Sequence, residues 1–320
     1  MDLLTYYSVH SRNSKPQLLN IVSAICKSSI SIEKCIRYSA LRGFHGDYSV
    51  STNASGDVQK KLDVISNNLM IDNLIETCSC NVLLSEENDE PIYVPTEKRG
   101  MYLVAFDPLD GSSNIECNAP IGTIFSICEN KEERILISGN MIEIAGYILY
   151  GPSTELVISV DGKVVRFVLS PSGEYIRIGS VSLEGKAKKI YSINEANSMN
   201  WGNDMKVYID DYKSGYLGYS ARYIGSMVGD VHRTLLYGGM FSYPADKKNK
   251  DGKLRLLYEC YPMAKLFEDA GGKALVGNMS DQRILDVEPK EIHQRSPVLF
   301  GSAQEVEKYE IILRNIVSKL

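Results

Sequence analysis

Phe106-Asp107-Pro108-Leu109-Asp110-Gly111-Ser112-Ser113-Asn114 sets two carboxylates three residues apart around a proline, with a glycine and two hydroxyl side chains directly behind them. The residues in front, Tyr102 to Phe106, are apolar and rich in strand formers. They predict a buried strand over 102–106. A strand that ends on Asp-Pro aims its acids into a cleft, because strand ends in α/β sheets open onto clefts. Carboxylates gathered there are the hard oxygen ligands that Mg²⁺ prefers. Gly111 lets the backbone approach a ligand closely, and the N–H groups that follow can cradle a phosphate. An isolated Asp-x-x-Asp reads as a turn cap, since Asp-Pro and Asp-Gly are common turn pairs. The strand before it, the Gly-Ser-Ser after it and the acids elsewhere in the chain favour a metal-plus-phosphate site.

The chain has 320 residues, with 44% hydrophobic and 23% charged content, the make-up of a globular protein with a full core. That length allows one large domain or two. A net charge of -5 gives no electrostatic reason to expect a nucleic-acid partner. No uninterrupted apolar stretch is long enough to span a membrane, so no membrane partner is expected. The start, Met1 to Tyr7, lacks the basic-then-apolar pattern of a signal peptide. The seven cysteines are odd in number, and Cys78-x-Cys80 alone is too little for a zinc site. They read as reduced thiols of an intracellular protein. The last three residues, Ser318-Lys319-Leu320, match the peroxisomal address tripeptide. The expected location is therefore cytoplasmic or a peroxisome-like organelle.

Apolar residues at Leu18, Ile21, Ile25, Ile32 and Ile36 predict an amphipathic helix within 18–41. A polar loop over 43–56 follows and is a lid candidate. Asp57 to Asn73 reads as a second helix. Strands are expected at 81–85, ending on Glu86-Glu87, then at 102–106 and 121–127. A hairpin over 155–169 turns on Asp161-Gly162, a strong type I′ signal. Beyond about residue 180 the pattern changes to alternating strand and helix. Tyr191 to Ile193 is a strand ending on Asn194, 228–237 a helix, and 256–270 a helix stopped by Gly271-Gly272. Residues 297–300 read as a strand and 303–319 as a helix.

Beside the opening motif stand Asp57, Asp63, Glu86, Glu87 and Glu259. Acids are usually solvated surface groups. Glu86 and Glu87 end an apolar strand, however, and Glu259 follows Leu256-Leu257-Tyr258 at the edge of an apolar helix face. Crowded acids repel one another unless cations are bound. Phosphate-monoester cleavage supplies a reason to crowd them, because metal ions neutralise phosphate oxygens and activate water.

Longer stretches carry a resemblance. They are Gly56 to Asp63, Leu84-Ser85-Glu86-Glu87, Ala221 to Met227, Gly252 to Glu259 and Ile292-His293-Gln294-Arg295. With the opening motif, and in this order, they make the chain similar to the class I fructose-1,6-bisphosphatases. That family is part of the Mg²⁺-dependent, lithium-sensitive sugar phosphatases. The resemblance runs from about residue 18 to the end. It implies an α/β fold layered α-β-α-β-α, with an N-terminal domain over 1–180 and a C-terminal domain over 181–320. It implies Asp57, Glu86, Asp107, Asp110, Glu259 and the Leu109 carbonyl as ligands of two or three Mg²⁺ per subunit, with Mn²⁺ as the alternative. Asp63 and Glu87 are the implied pair that activates the attacking water. Gly111, Ser112 and Ser113 are implied to hold the phosphate being removed. Asn194, Arg222, Tyr223, Tyr243, Lys253 and Arg255 match the sugar and far-phosphate positions. The implied partners are a sugar bisphosphate and other copies of the chain. The family norm is a tetramer in which the arginine matching Arg222 reaches the neighbouring subunit's site.

The implied activity is hydrolysis of the 1-phosphate of fructose 1,6-bisphosphate, a gluconeogenic step; the alternative is sedoheptulose 1,7-bisphosphate, or both. An inositol phosphatase has no need of Tyr243, Lys253 and Arg255, and an inactive sensor would have lost a metal-binding acid. Three stretches depart from the family. Arg12-Asn13-Ser14-Lys15-Pro16 replaces a Gly/Thr-rich AMP-binding segment, and Met101-Tyr102 replaces a Lys-Tyr pair. Weak or absent AMP inhibition is therefore expected. Asn194-Glu195-Ala196-Asn197 has an asparagine where the family often has a tyrosine on the far phosphate. No cysteine-bearing insertion is seen, so thioredoxin control is not expected.

Overall fold

The computed structural model describes residues 1–10, 15–39, 54–185 and 188–318, with backbone alone over 54–60. The lid candidate at 43–56 lies outside the described residues except for 54–56, which already belong to a helix. Residues 319–320 of the terminal tripeptide lie outside them too.

The quoted stretch forms the strand that organises the main sheet. Strand β3 runs Tyr102–Asp110 and is buried throughout. Its side chains alternate: Leu103 and Ala105 join one core cluster, while Tyr102, Val104 and Phe106 join another. A strand covered on both faces needs such a continuous apolar run. The sheet has eight strands in the order β2-β1-β3-β4-β5-β6-β7-β8. The others are β1 (Cys80–Ser85), β2 (Ile92–Tyr93), β4 (Ile121–Glu129), β5 (Ile142–Tyr150), β6 (Thr154–Val160), β7 (Lys163–Leu169) and β8 (Tyr175–Val181). Strand β1 lies parallel to β3, with Ser85 opposite Phe106. The parallel pairing stops there, so Glu86 and Asp107 follow it directly while β3 runs on to Asp110. The β6–β7 hairpin turns as expected, with Asp161 at φ 49° and Gly162 at φ 73°, both left-handed as type I′ requires.

Helices α1 (Leu3–His10), α2 (Pro16–Arg37) and α3 (Ala54–Ile75) share a core with one face of this sheet. The other face packs on α5 (Met227–Tyr237) and α6 (Tyr261–Asp269). Beyond them lies a five-stranded sheet, in the order β10-β9-β11-β15-β13. It contains β9 (Ile190–Ser192), β10 (Ser220–Ala221), β11 (Met240–Tyr243), β13 (Gly272–Leu275) and β15 (Val298–Ser302). Helices α4 (Asn203–Lys213) and α7 (Ala303–Val317) cover its outer face. A short pair, β12 (Leu254–Arg255) with β14 (Arg295–Ser296), completes the chain. The layers read α-β-α-β-α, as expected.

Three expectations change in detail. The helix within 18–41 ends at Arg37. Strand β3 continues to Asp110 rather than stopping at Phe106. The helix expected over 256–270 divides into one π-helical turn at Leu256–Cys260 and α6 proper. That wider turn buries Glu259, which is not the edge residue that helical periodicity placed there.

Candidate active site

A strand's side chains alternate with period two, so residues three apart normally face opposite sides. Asp107 and Asp110 escape this because β3 is bulged between them. Asp107 pairs with Ile124 and Asp110 with Gly122, so three steps on β3 match two on β4. The two carboxylates thereby face the same side. Glu259, from the π-helical turn, joins them, and one oxygen from each of the three lies within 4.8 Å of the others. All three are buried. Burial and mutual repulsion hold Asp107 well above the usual carboxylate range. Burial raises Asp110 to about 6, and burial with Asp110 raises Glu259 to about 8.

Backbone donors fix all three acids, Leu109 N–H donating to Asp107 Oδ1 at 2.9 Å. Val228 N–H at the start of α5 donates to Asp110 Oδ2 at 3.1 Å. Arg255 N–H donates to Glu259 Oε2 at 2.5 Å. The Arg255 side chain spans the site, donating from Nε to Glu86 Oε1 (3.1 Å) and from Nη1 to the His293 carbonyl (2.9 Å).

Asp63 projects from α3, and Ser112 donates to its Oδ2 at 3.3 Å. Its other oxygen is buried without a hydrogen-bond partner among the described residues. Desolvation pushes Asp63 up to about 6. Glu87 keeps an exposed face, yet desolvation, Asp63 and Glu86 push it up to about 7. Gly111 sits at φ 77°, in the left-handed region, and opens a short helical turn over Ser112–Asn114. Ser113 on that turn is exposed.

Glu86, Glu87, Asp107, Leu109, Asp110, Gly111, Ser112 and Glu259 line one cavity of about 250 Å³ together with Lys253, Arg255 and Arg295; Asp63 and Ser113 are not among its lining residues. A larger cavity, about 590 Å³ beside the end of α2, carries Glu33, Arg37 and Glu116 and, among the described residues, no acid cluster. Asn194 and Tyr243 share a small neighbouring depression with Asn197. Lys253 Nζ lies 5.9 Å from the Tyr243 ring centre. Tyr223 stands near enough to Tyr243 to feel it, and its phenol is pushed up to about 12 mainly by desolvation.

Of the predicted residues, Arg222 is not brought into the acid cavity; its guanidinium donates to the Ala221 carbonyl at 2.8 Å. Asp57 belongs to α3, but its side chain lies outside the described residues. Arg295 lines the cavity and was not singled out in the sequence, although it closes the Ile292–Arg295 stretch. The Val228 N–H was missed as well, because a backbone donor leaves no mark in a sequence.

The donor set fits a hard divalent cation: buried oxygens only, an excess of negative charge, and an Asp63 oxygen with no partner among the described residues. A buried acid cluster on the bulged end of β3 and the π-helical turn, facing arginine and lysine, is the site of a hydrolase of phosphoric monoesters. Family models for the N-terminal and C-terminal domains of fructose-1-6-bisphosphatase match residues 5–179 and 185–314. The chain belongs to the fructose-1,6-bisphosphatase family. It is 44% identical over 313 residues to mouse (Mus musculus) fructose-1,6-bisphosphatase 1, covering 95% of this chain and 91% of that one. It is 45% identical to the cytosolic fructose-1,6-bisphosphatase of Brassica napus, covering 94% and 90%. The crystal structure of Leishmania major fructose-1,6-bisphosphatase in holo form superposes with a TM-score of 0.88 at 42% identity, covering 98% of both chains.

Proposed function

We propose that this protein hydrolyses the 1-phosphate of fructose 1,6-bisphosphate, releasing fructose 6-phosphate and inorganic phosphate. The observation that carries this reading is the Asp107–Asp110–Glu259 cluster sharing one cavity with Lys253, Arg255 and Arg295. A substrate with a phosphate at each end needs both halves of that cavity.

Asp57, Glu86, Asp107, Asp110, Glu259 and the Leu109 carbonyl would hold two or three Mg²⁺, with Mn²⁺ as the alternative. When bound, the cations neutralise phosphate oxygens and make water a better nucleophile. The N–H groups from Gly111 to Ser113, with the two serine hydroxyls, hold the phosphate that leaves the sugar. Asp63 and Glu87 take the proton of the attacking water. Desolvation raises the proton affinity of both, and a base beside cation-bound water needs only modest basicity. Lys253, Arg255, Tyr223, Tyr243 and Asn194 hold the far phosphate and the sugar; Arg's planar fork suits phosphate oxygens. Arg222 serves the neighbouring subunit's site in a homotetramer. The metal ligands come mostly from a domain over 1–180 and the far-phosphate contacts from one over 181–320.

AMP inhibits this protein weakly or not at all. The structure favours this beyond the Met101 substitution. Lys15 donates to Glu143 at 2.9 Å, approaches Glu129 at 3.8 Å, and lies 5.8 Å from the centre of the Tyr102 ring. An anion arriving beside Tyr102 meets two carboxylates and a cation already paired.

Phosphate release from fructose 1,6-bisphosphate and sedoheptulose 1,7-bisphosphate, measured side by side with Mg²⁺, tests the assignment. A clear preference for fructose, with fructose 6-phosphate as product, supports it. Equal or better turnover of the seven-carbon sugar contradicts it and directs attention to Asn197.

A further inference from the structure

We propose that Asn67 is a positioning residue that sets Glu87 against Asp63; this rests on the reading of those two acids as the water-activating pair. Asp63 and Asn67 are four residues apart on α3, so they share a helix face. Asn67 is buried, 7% exposed. Its amide reaches both sides of the Glu86-Glu87 turn. Ser85 Oγ donates to Asn67 Oδ1 at 2.7 Å, and Asn67 Nδ2 donates to Asn88 Oδ1 at 2.7 Å. Ser85 Oγ in turn accepts the Glu87 N–H at 3.2 Å. The Glu87 backbone is thus held through one hydroxyl by the helix that carries Asp63.

A second anchor sits on the far side of the turn. His293 Nε2 lies 3.0 Å from the Asn88 carbonyl. The His293 carbonyl accepts from Arg255, which binds Glu86. The turn bearing Glu86 and Glu87 is therefore tied to α3 at one end of a chain of bonds and to Arg255 at the other. Asn67 is the only member of that chain on the same element as Asp63. Catalytic groups misplaced by about 1 Å lose on the order of 100-fold in rate. An amide that bridges residues 85 and 88 bears directly on that tolerance.

The chemistry of the amide makes the role specific. Asn67 must accept from Ser85 and donate to Asn88 at once. Aspartate at this position keeps the first bond but cannot donate to Asn88 Oδ1, so the Asn88 amide has to turn and present Nδ2. Alanine loses both and leaves the buried Ser85 hydroxyl and the half-buried Asn88 amide without this partner.

The test compares Asn67→Ala and Asn67→Asp with Asn73→Ala in the full-length protein. Asn73 is a control on the same helix, donating to Ser28 Oγ and the Leu69 carbonyl at 3.0 and 2.8 Å without touching the Glu86-Glu87 turn. Thermal midpoints, kcat and KM for fructose 1,6-bisphosphate with Mg²⁺ are measured for each. The expected result is a loss of about 10- to 100-fold in kcat for Asn67→Ala, with KM within about threefold of wild type. Asn67→Asp falls between, and Asn73→Ala keeps kcat within about twofold despite a comparable loss of stability. Asn67→Asp decides the matter if the alanine variant does not fold. Near-wild-type kcat in the Asn67 variants, or loss of kcat in Asn73→Ala in proportion to stability, overturns the inference. A wild-type protein that fails to turn over fructose 1,6-bisphosphate instead overturns the proposed function on which the inference rests.

Discussion

Asp107 and Asp110 point to the same side of β3 because the strand carries one extra residue between its pairings with Ile124 and Gly122. The sequence Asp-Pro-Leu-Asp is therefore a local instruction for a bulge. A regular strand would send the second acid to the opposite face.

Loss of either acid should remove most of the activity. Asp107→Asn and Asp110→Asn are each expected to lower kcat/KM by roughly 10²–10⁴-fold, since a bound cation contributes several kcal/mol of charge stabilisation. Steady-state assays at saturating Mg²⁺ check this. Because the variants remove repulsion within a buried cluster, the metal-free protein should lose no stability.

Metal binding and stability should be linked. Saturating Mg²⁺ is expected to raise the thermal midpoint of the wild-type protein, by about 2.7 kcal/mol of stabilisation at a hundredfold excess over Kd. Asp107→Asn should blunt that rise. A thermal scan of chelated and Mg²⁺-loaded samples of both proteins reads the effect.

The fold positions Asp110 through a close approach at Gly122. A Cβ there would stand 2.6 Å from the Ile148 carbonyl oxygen and 2.8 Å from a Val228 methyl. Val228 is the residue whose N–H holds Asp110. Gly122→Ala should cost about 1–3 kcal/mol in chemical denaturation, the usual price of overpacking, and lower kcat as α5 is pushed away.

His232 gives the stability a pH dependence. It faces Tyr147, whose hydroxyl lies 2.8 Å from Nδ1, and Glu155 at 4.0 Å, which Arg166 already pairs at 2.7 Å. Burial pushes its pKa down to about 4 from 6.5. Between those values the unfolded chain binds more protons, so this contribution is present above pH 6.5 and is lost as pH falls toward 4. The wild-type protein should lose on the order of 2–3 kcal/mol more than His232→Asn when denaturation is compared at neutral pH and near the lower value. Equal losses in the two proteins would rule this out.

Much of this architecture was legible locally. The 102–106 run, the Asp161-Gly162 turn and the Glu86-Glu87 strand end each act within a few residues, and each appears where its chemistry puts it. Other elements were not placed. Strand β8, Tyr175–Val181, lies at a sheet edge with mixed exposure, and α4, Asn203–Lys213, is rich in charge. The π-helical turn at Leu256–Cys260 has the composition of ordinary helix, so nothing local announces that Glu259 turns inward. The Asn67–Ser85–Asn88 bonds join residues 18 and 21 positions apart through short polar side chains, which follow no periodicity. Contacts of that kind come from tertiary placement alone.

The central claim is most directly tested by stripping the purified protein with a chelator and following fructose 6-phosphate formation from fructose 1,6-bisphosphate as Mg²⁺ is returned. The account predicts no turnover without metal, recovery on titration, and fructose 6-phosphate as the sugar product. Full activity in the stripped protein, or fructose 1-phosphate as the product, would contradict it.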